Sequence, residues 1–219
     1  TGYEPIKFVS TAAHSGASKG TSDWPLFRTA EVYLNYAEAK AELGTLTKDD
    51  LLISIDRIRD RAGMKGLDMA AANANPDPFL LACYPNVTKS ENTGVILEIR
   101  RERTIELVME GLRMWDMFRW KEGAQLVNET NPYYGIYFSG PGLYDMDGDG
   151  RNDLELYVDK QTSSPADGLT VLRIGSDIIL SDMAENRGYV VAWSTLKYTW
   201  NEERDYLWPI PVGETNTNT

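Results

Sequence analysis

Ile96-Leu-Glu-Ile-Arg-Arg-Glu-Arg-Thr-Ile-Glu-Leu-Val-Met-Glu-Gly-Leu-Arg-Met-Trp-Asp-Met-Phe-Arg-Trp120 is the stretch from which the rest of the chain can be read. Its apolar residues Ile105, Val108, Leu112 and Trp115 recur at steps of three and four, which predicts one packing face of a helix. Glu110, Arg113, Asp116 and Arg119 follow at steps of three with alternating sign, so neighbours on the opposite face attract one another. Gly111 interrupts the run. A glycine inside a helix costs about 1 kcal/mol against alanine, so this one marks a joint between two helices or a close backbone approach. Two functions compete for the stretch. Glu106 and Glu110 could serve as acid and base in a cleft, but no nucleophile, metal triad or phosphate loop lies nearby in the sequence. The stretch therefore reads as scaffolding with no catalytic residue, its charges tying it to neighbouring elements.

The same residues carry a family pattern. Arg101-Glu102-Arg103-Thr104-Ile105-Glu106-Leu107, then Glu110-Gly111-Leu112-Arg113 and Trp115-Asp116-Met117-Phe118-Arg119-Trp120, resemble the signature E-R-x-x-E-L…E-G-x-R-x-x-D-x-x-R-W of the SusD/RagB family. These are surface glycan-binding lipoproteins of Gram-negative bacteria. Two further stretches agree and stand in the family's order. They are Arg28-Thr29-Ala30-Glu31-Val32-Tyr33-Leu34-Asn35-Tyr36-Ala37-Glu38-Ala39 with Arg57-Ile58-Arg59-Asp60-Arg61-Ala62-Gly63, and the tail Tyr206-Leu207-Trp208-Pro209-Ile210-Pro211. The resemblance implies a mainly α fold of tetratricopeptide-like helix pairs with long irregular loops, to which this chain's own residues add a small β-hairpin insertion outside the family pattern. It also implies that residues 1–219 are the C-terminal domain of a longer protein, with the lipoprotein signal, acylated cysteine and first helices upstream.

Composition sets bounds on function. With 219 residues, 42% hydrophobic and 25% charged, the chain can build a substantial core. A net charge of −11 argues against nucleic acid and against basic attachment to anionic lipid. Cys83 is the single cysteine, so no internal disulfide can form, and it reads as a small buried residue. His14, the single histidine, reads as a solvated loop residue. Twelve Tyr and six Trp are more than a helical core needs, and their flat rings suit the apolar faces of sugars.

In chain order, Ser22-Asp23-Trp24-Pro25 offers a cap and a first-turn proline for a helix from about Leu26 to Leu43. That helix carries Ala30, Leu34, Ala37 and Ala41 on one face and stops at Gly44. A second helix starts at the Thr47 cap, turns Leu51, Ile55, Ile58 and Ala62 inward and ends at Gly63, closing a first pair over about 26–63. A long connection, Met64 to Gly94, is predicted to be an irregular excursion with one short helical piece near Phe79–Cys83. A second pair covers about 96–127, a loop and β insertion about 128–200, and a tail 201–219 that packs back on the helices, the last by resemblance.

Asp145-Met-Asp-Gly-Asp-Gly-Arg-Asn-Asp153 matches D-x-D-x-D-G-x-x-D. Carboxylates of Asp145, Asp147, Asp149 and Asp153 with the carbonyl of Arg151 can converge on a hard cation, and calcium is the expected occupant in a structural role. Leu156 stands where an EF-hand has its bidentate Glu, and Leu154 to Val158 alternates as a strand, so the loop reads as a metal clip in a β-hairpin.

The resulting expectation is a non-catalytic oligosaccharide-binding protein on the extracellular face of the outer membrane. By resemblance it takes up nutrients with a TonB-dependent transporter and touches the membrane through an upstream lipid anchor. Ligand contacts are expected from Tyr133, Tyr134, Tyr137, Trp193 and Trp200 on excursions outside the repeats, while Trp115, Trp120 and Trp208 belong to framework motifs and read as core. A helical-repeat protein-interaction module is the alternative, and a glycoside hydrolase using two carboxylates is a third reading.

Overall fold

Helix α1, Thr29–Glu42, buries Ala30, Leu34, Ala37 and Ala41, the face that the spacing assigns to packing. Its C-terminus closes with Thr45 N–H donating to Lys40 O at 2.9 Å and Gly44 N–H to Ala41 O at 3.1 Å, while Gly44 takes φ +68°. These paired bonds satisfy end carbonyls, and the left-handed residue between them is one that glycine adopts cheaply. The start differs from expectation. The helix begins at Thr29 after Arg28, which makes no side-chain cap, so Pro25 stands before the first turn.

The computed structural model describes residues 3, 7–8, 25–127, 134–164, 168–192, 199–208, 210–211 and 213. His14, Ser22–Trp24, Asn131–Tyr133, Trp193, Leu196, Pro209 and Asn216 lie outside them. Two compact units divide the chain: a helical unit of residues 7–127 and 200–219, and a strand unit of residues 1–6 and 128–199. Fold class is mixed helix and strand.

In the helical unit, Thr47 caps α2, Lys48–Ile53, in a reciprocal capping box with Asp50. The expected second helix is broken at Ser54, whose φ −126° and ψ −100° separate α2 from α3, Ile55–Arg61. Leu51, Ile55 and Ile58 are buried as predicted, but Ala62 is exposed because α3 ends before it. The expected short helical piece is present as α5, Pro78–Cys83, and the excursion holds a second short helix that was not expected, α4, Met69–Ala74. Asp68 accepts the Ala71 amide at 3.0 Å and Asp77 that of Phe79 at 2.8 Å, so each helix carries its own cap. Leu80, Tyr84 and Val87 then join the core.

Helix α6, Thr93–Glu106, is the centre, with Val95, Ile96, Leu97 and Ile99 essentially inaccessible. At Gly94 a Cβ would stand 1.9 Å from Ala72 O, so the backbone of α4 comes against α6 where only glycine fits. The predicted apolar face needs correction. Ile105, Val108 and Trp115 are 64%, 52% and 52% exposed. The reason is that α6 stops at Glu106 and the chain reverses over 107–112, with Met109 at φ +63° and Gly111 at φ +77°, before α7, Arg113–Arg119. Residues on either side of that joint do not share one helix face. A short 3-10 turn, Gly123–Leu126, follows. Trp120 is core, but Trp115 and Trp208 are not: they are half or more exposed and pack on each other with ring centroids 5.6 Å apart. The tail does return to the helices, where Gly123 N–H donates to the Tyr206 hydroxyl at 3.1 Å.

The strand unit holds β1, Tyr134–Phe138; β2, Gly142–Tyr144; β3, Leu154–Tyr157; β4, Thr170–Arg173; β5, Leu180–Asp182; and β6, Arg187–Val191. One sheet runs β1-β6-β5 with antiparallel pairing, and the other runs β2-β3-β4. β2 and β3 form the expected hairpin around the acidic loop, and β4 then pairs parallel to β3. Phe138, Leu154, Leu156, Ile174 and Leu180 fill the core of this unit. Among the described residues no helix is long and apolar enough to cross a membrane.

Candidate functional site

Three tyrosines make an aromatic platform on the β1–β6 pair. Tyr134, Tyr137 and Tyr189 are 45%, 53% and 45% exposed. Tyr189 stacks on Tyr134 at 5.3 Å with ring planes 12° apart, and meets Tyr137 edge to face at 5.2 Å and 72°. In a regular strand, residues three apart point to opposite faces. The irregularity in pairing between Tyr134 and Tyr137 changes that parity, so both rings face outward while Phe138 faces the core. Tyr189 sits opposite Tyr137 in the ladder, and its amide donates to Ser181 Oγ at 3.0 Å, which ties β6 to β5 beneath the rings. Three ring faces and three hydroxyls on a hydrogen-bonded sheet offer stacking and polar contacts at little cost in ordering.

The acidic loop lies between β2 and β3. Carboxylate oxygens of Asp145, Asp147 and Asp149 fall within 4.8 Å of one another. Asp145 accepts the amides of Gly148 and Gly150 at 2.7 and 2.8 Å, and the bond from Gly150 leads in holding its carboxyl below the usual range. Asp153 accepts the Met146 amide at 2.8 Å and stands outside the three-carboxylate group. Leu156, at the twelfth position, is buried in the core and supplies no ligand.

With this geometry in hand, comparison with known families is informative: a family model described as the SusD family matches residues 1–219. The chain belongs to the SusD family. This is a family of glycan-binding proteins of nutrient uptake, associated with the outer membrane as lipoproteins. No curated protein and no solved structure matched the chain.

The SusD signature residues occupy the interior charge network rather than an open cleft. Glu38 accepts Arg119 Nη1 and Nη2 at 2.9 and 3.0 Å and Trp120 Nε1 at 2.6 Å. Asp116 takes Arg103 Nε and Nη2 at 3.0 and 2.8 Å, and Arg103 Nη1 donates to Asn35 at 2.6 Å. Glu102 holds Arg59 at 2.8 Å. Glu106 is taken by Arg28 at 2.8 Å and Arg61 at 2.6 Å, and Glu110 by Lys7 and by Arg28 Nη2 at 2.6 Å. Lys7 and Arg28 also donate to the Glu106 carbonyl, placing cations on the negative end of the α6 dipole. Burial forces up the Glu122 carboxyl and pulls down the Arg100 guanidinium beside it, 3.6 Å away.

Of the expected ligand residues, the structure brings Tyr134 and Tyr137 together; Tyr133 and Trp193 lie outside the described residues. Trp200 sits elsewhere, in the helical unit, packed on Phe118 and Tyr206 with its Nε1 buried and its ring against Gly123. There Trp200 is half-buried among residues of its own unit and does not join the tyrosines of the strand unit. Tyr189 was not among the expected contacts. Its signal was present in the sequence as a strand-forming tyrosine, but its partner in the ladder could not be assigned without the register.

Proposed function

We propose that this chain binds oligosaccharide on the outer face of the outer membrane, without catalysing its cleavage, and passes it to a TonB-dependent transporter. The observation that carries this reading is the exposed Tyr134–Tyr137–Tyr189 platform. The commitment of Glu106 and Glu110 to arginine and lysine partners supports the non-catalytic part, since neither carboxylate stands free for proton transfer. Within this reading, α1 with α2 and α3 forms a tetratricopeptide-like pair, the chain is one C-terminal domain with an inserted strand unit, and an upstream lipid anchor holds it at the membrane. Titration calorimetry against a panel of plant and host oligosaccharides tests it. Heat with a sugar, lost in Tyr189→Ala, is expected. Reducing ends released from a polysaccharide would instead make it a hydrolase.

A second reading, a protein-interaction module, draws on the exposed Trp115–Trp208 pair and the neighbouring Met114 and Leu207. No heat with any sugar alongside a tight protein partner would favour it.

Calcium is proposed as the occupant of the acidic loop. An all-oxygen set of Asp145, Asp147 and Asp149, joined by Asp153 and the Arg151 carbonyl, fits a hard cation and would pin the hairpin. Saturating calcium, at about a hundred times the dissociation constant, then adds about 2.7 kcal/mol of stability to the wild type. Chelator removes that gain, and Asp147→Asn abolishes most of it, as read by thermal melting.

A further inference from the structure

The helical unit has a pocket of its own, of about 420 Å³, lined by Phe27, Arg28, Tyr33, Arg57 and Arg61. Its charge balance is unusual for a chain of net charge −11. Lys7, Arg28 and Arg61 face Glu106 and Glu110, a surplus of one positive charge. Arg57 adds another and makes no ion pair among the described residues, not even with Asp60, one helical turn further along α3. Arg61 spends one nitrogen on Glu106 and keeps its side chain 63% exposed. Beside these guanidinium groups Phe27 is 90% exposed. A core role would have buried that ring, and a purely structural salt-bridge cluster would have matched the charge of Arg57.

Open guanidinium forks next to an aromatic face have a defined chemical complement. They accept a planar carboxylate or a sulfate by paired hydrogen bonds, and the ring covers the apolar side of the residue that carries it. We infer that this pocket is a subsite for an acidic sugar, a uronate carboxylate or a sulfate ester, so that the captured glycan is anionic. The inference rests on the glycan-binding reading above and names its substrate class. The chain's net charge of −11 sharpens the selection, because it disfavours an anionic ligand except where cations are in local excess.

The test compares matched ligands on the 219-residue chain. Oligogalacturonate and its carboxyl-reduced neutral counterpart form one arm, a sulfated glycosaminoglycan oligosaccharide and its desulfated counterpart the other, each by calorimetry at low and high salt. One acidic ligand is expected to bind about tenfold more tightly than its counterpart, with the preference shrinking as salt screens it. Arg57→Gln should remove that preference at unchanged melting temperature, since the Arg57 side chain makes no hydrogen bond or ion pair among the described residues. Equal binding of acidic and neutral partners, or a preference that survives in Arg57→Gln, overturns the anionic subsite while leaving neutral glycan binding intact. Silence with all four ligands and with a neutral oligosaccharide panel sinks both proposals together.

Discussion

Glu38 in the helical unit and Tyr189 in the strand unit are both polar residues with aromatic neighbours, yet their surroundings differ in kind. Glu38 is buried and its oxygens are fully engaged by Arg119 and Trp120, with Arg103 at 3.5 Å. Tyr189 is half exposed, held only through its backbone and ring neighbours. A group whose bonding capacity is consumed inside the fold can specify the fold but has nothing left to offer a ligand. A group anchored from below, with its outer face open, can do the opposite. The distinction assigns the buried members of the family's acidic-basic signature to architecture and motivates the proposal that recognition falls to open groups, the strand tyrosines foremost.

The sharpest way to break the contrast is to remove Glu38. Glu38→Ala leaves Trp120 Nε1 without its acceptor, leaves Arg119 only its bond to Asp116 and weakens the hold on buried Arg103, and should cost about 3–5 kcal/mol in urea unfolding, as removal of one member of a buried ion pair does. Gly94→Ala should follow at about 1–3 kcal/mol, because its methyl group would overlap the α4 backbone at Ala72. Tyr189→Ala should lower sugar affinity about tenfold with little change in melting temperature. If it instead unfolds the strand unit, the platform is structural and the contrast fails. The smallest effect concerns pH. Burial raises the Glu122 carboxyl above its reference of 4.5, so the folded state prefers it protonated. Its stabilising share is complete below that reference and declines as pH rises through the raised value. Measured from pH 4 to 7, Glu122→Gln should therefore gain stability relative to wild type as pH increases, and a constant difference would refute the assignment.

What could be read from the sequence followed the range of the interaction. Caps and stops are local, and the Thr47 box and the glycine turns at Gly44 and Gly63 stand where the residues put them. The α6 interior was legible as a helix and Gly111 marked the joint after it, but the exposure of Ile105, Val108 and Trp115 was not legible, because the turn also depends on Met109 adopting a positive φ that no residue preference announces. Helix α4 and strand β5 span six and three residues and carry too little periodicity to read. Two of the platform's three rings, Tyr134 and Tyr137, were visible as a tyrosine-rich excursion. The rest required knowing that β6 lies beside β1 with an irregular register, which is a long-range fact. Trp200 and Trp208 show the same limit in reverse: equal aromatic character, one half-buried against Gly123 and its neighbours, the other open.

The grip of Lys7 and Arg28 on the Glu106–Glu110 pair has a corollary for chain length. Chain between these two cations departs from and returns to the same clamp, so its ends are fixed whatever it contains. Lengthening a tethered loop is thermodynamically mild, about 0.6 kcal/mol for each doubling. A change in chain length between the two cations is therefore expected to cost little stability so long as Lys7 and Arg28 keep their hold on Glu106 and Glu110.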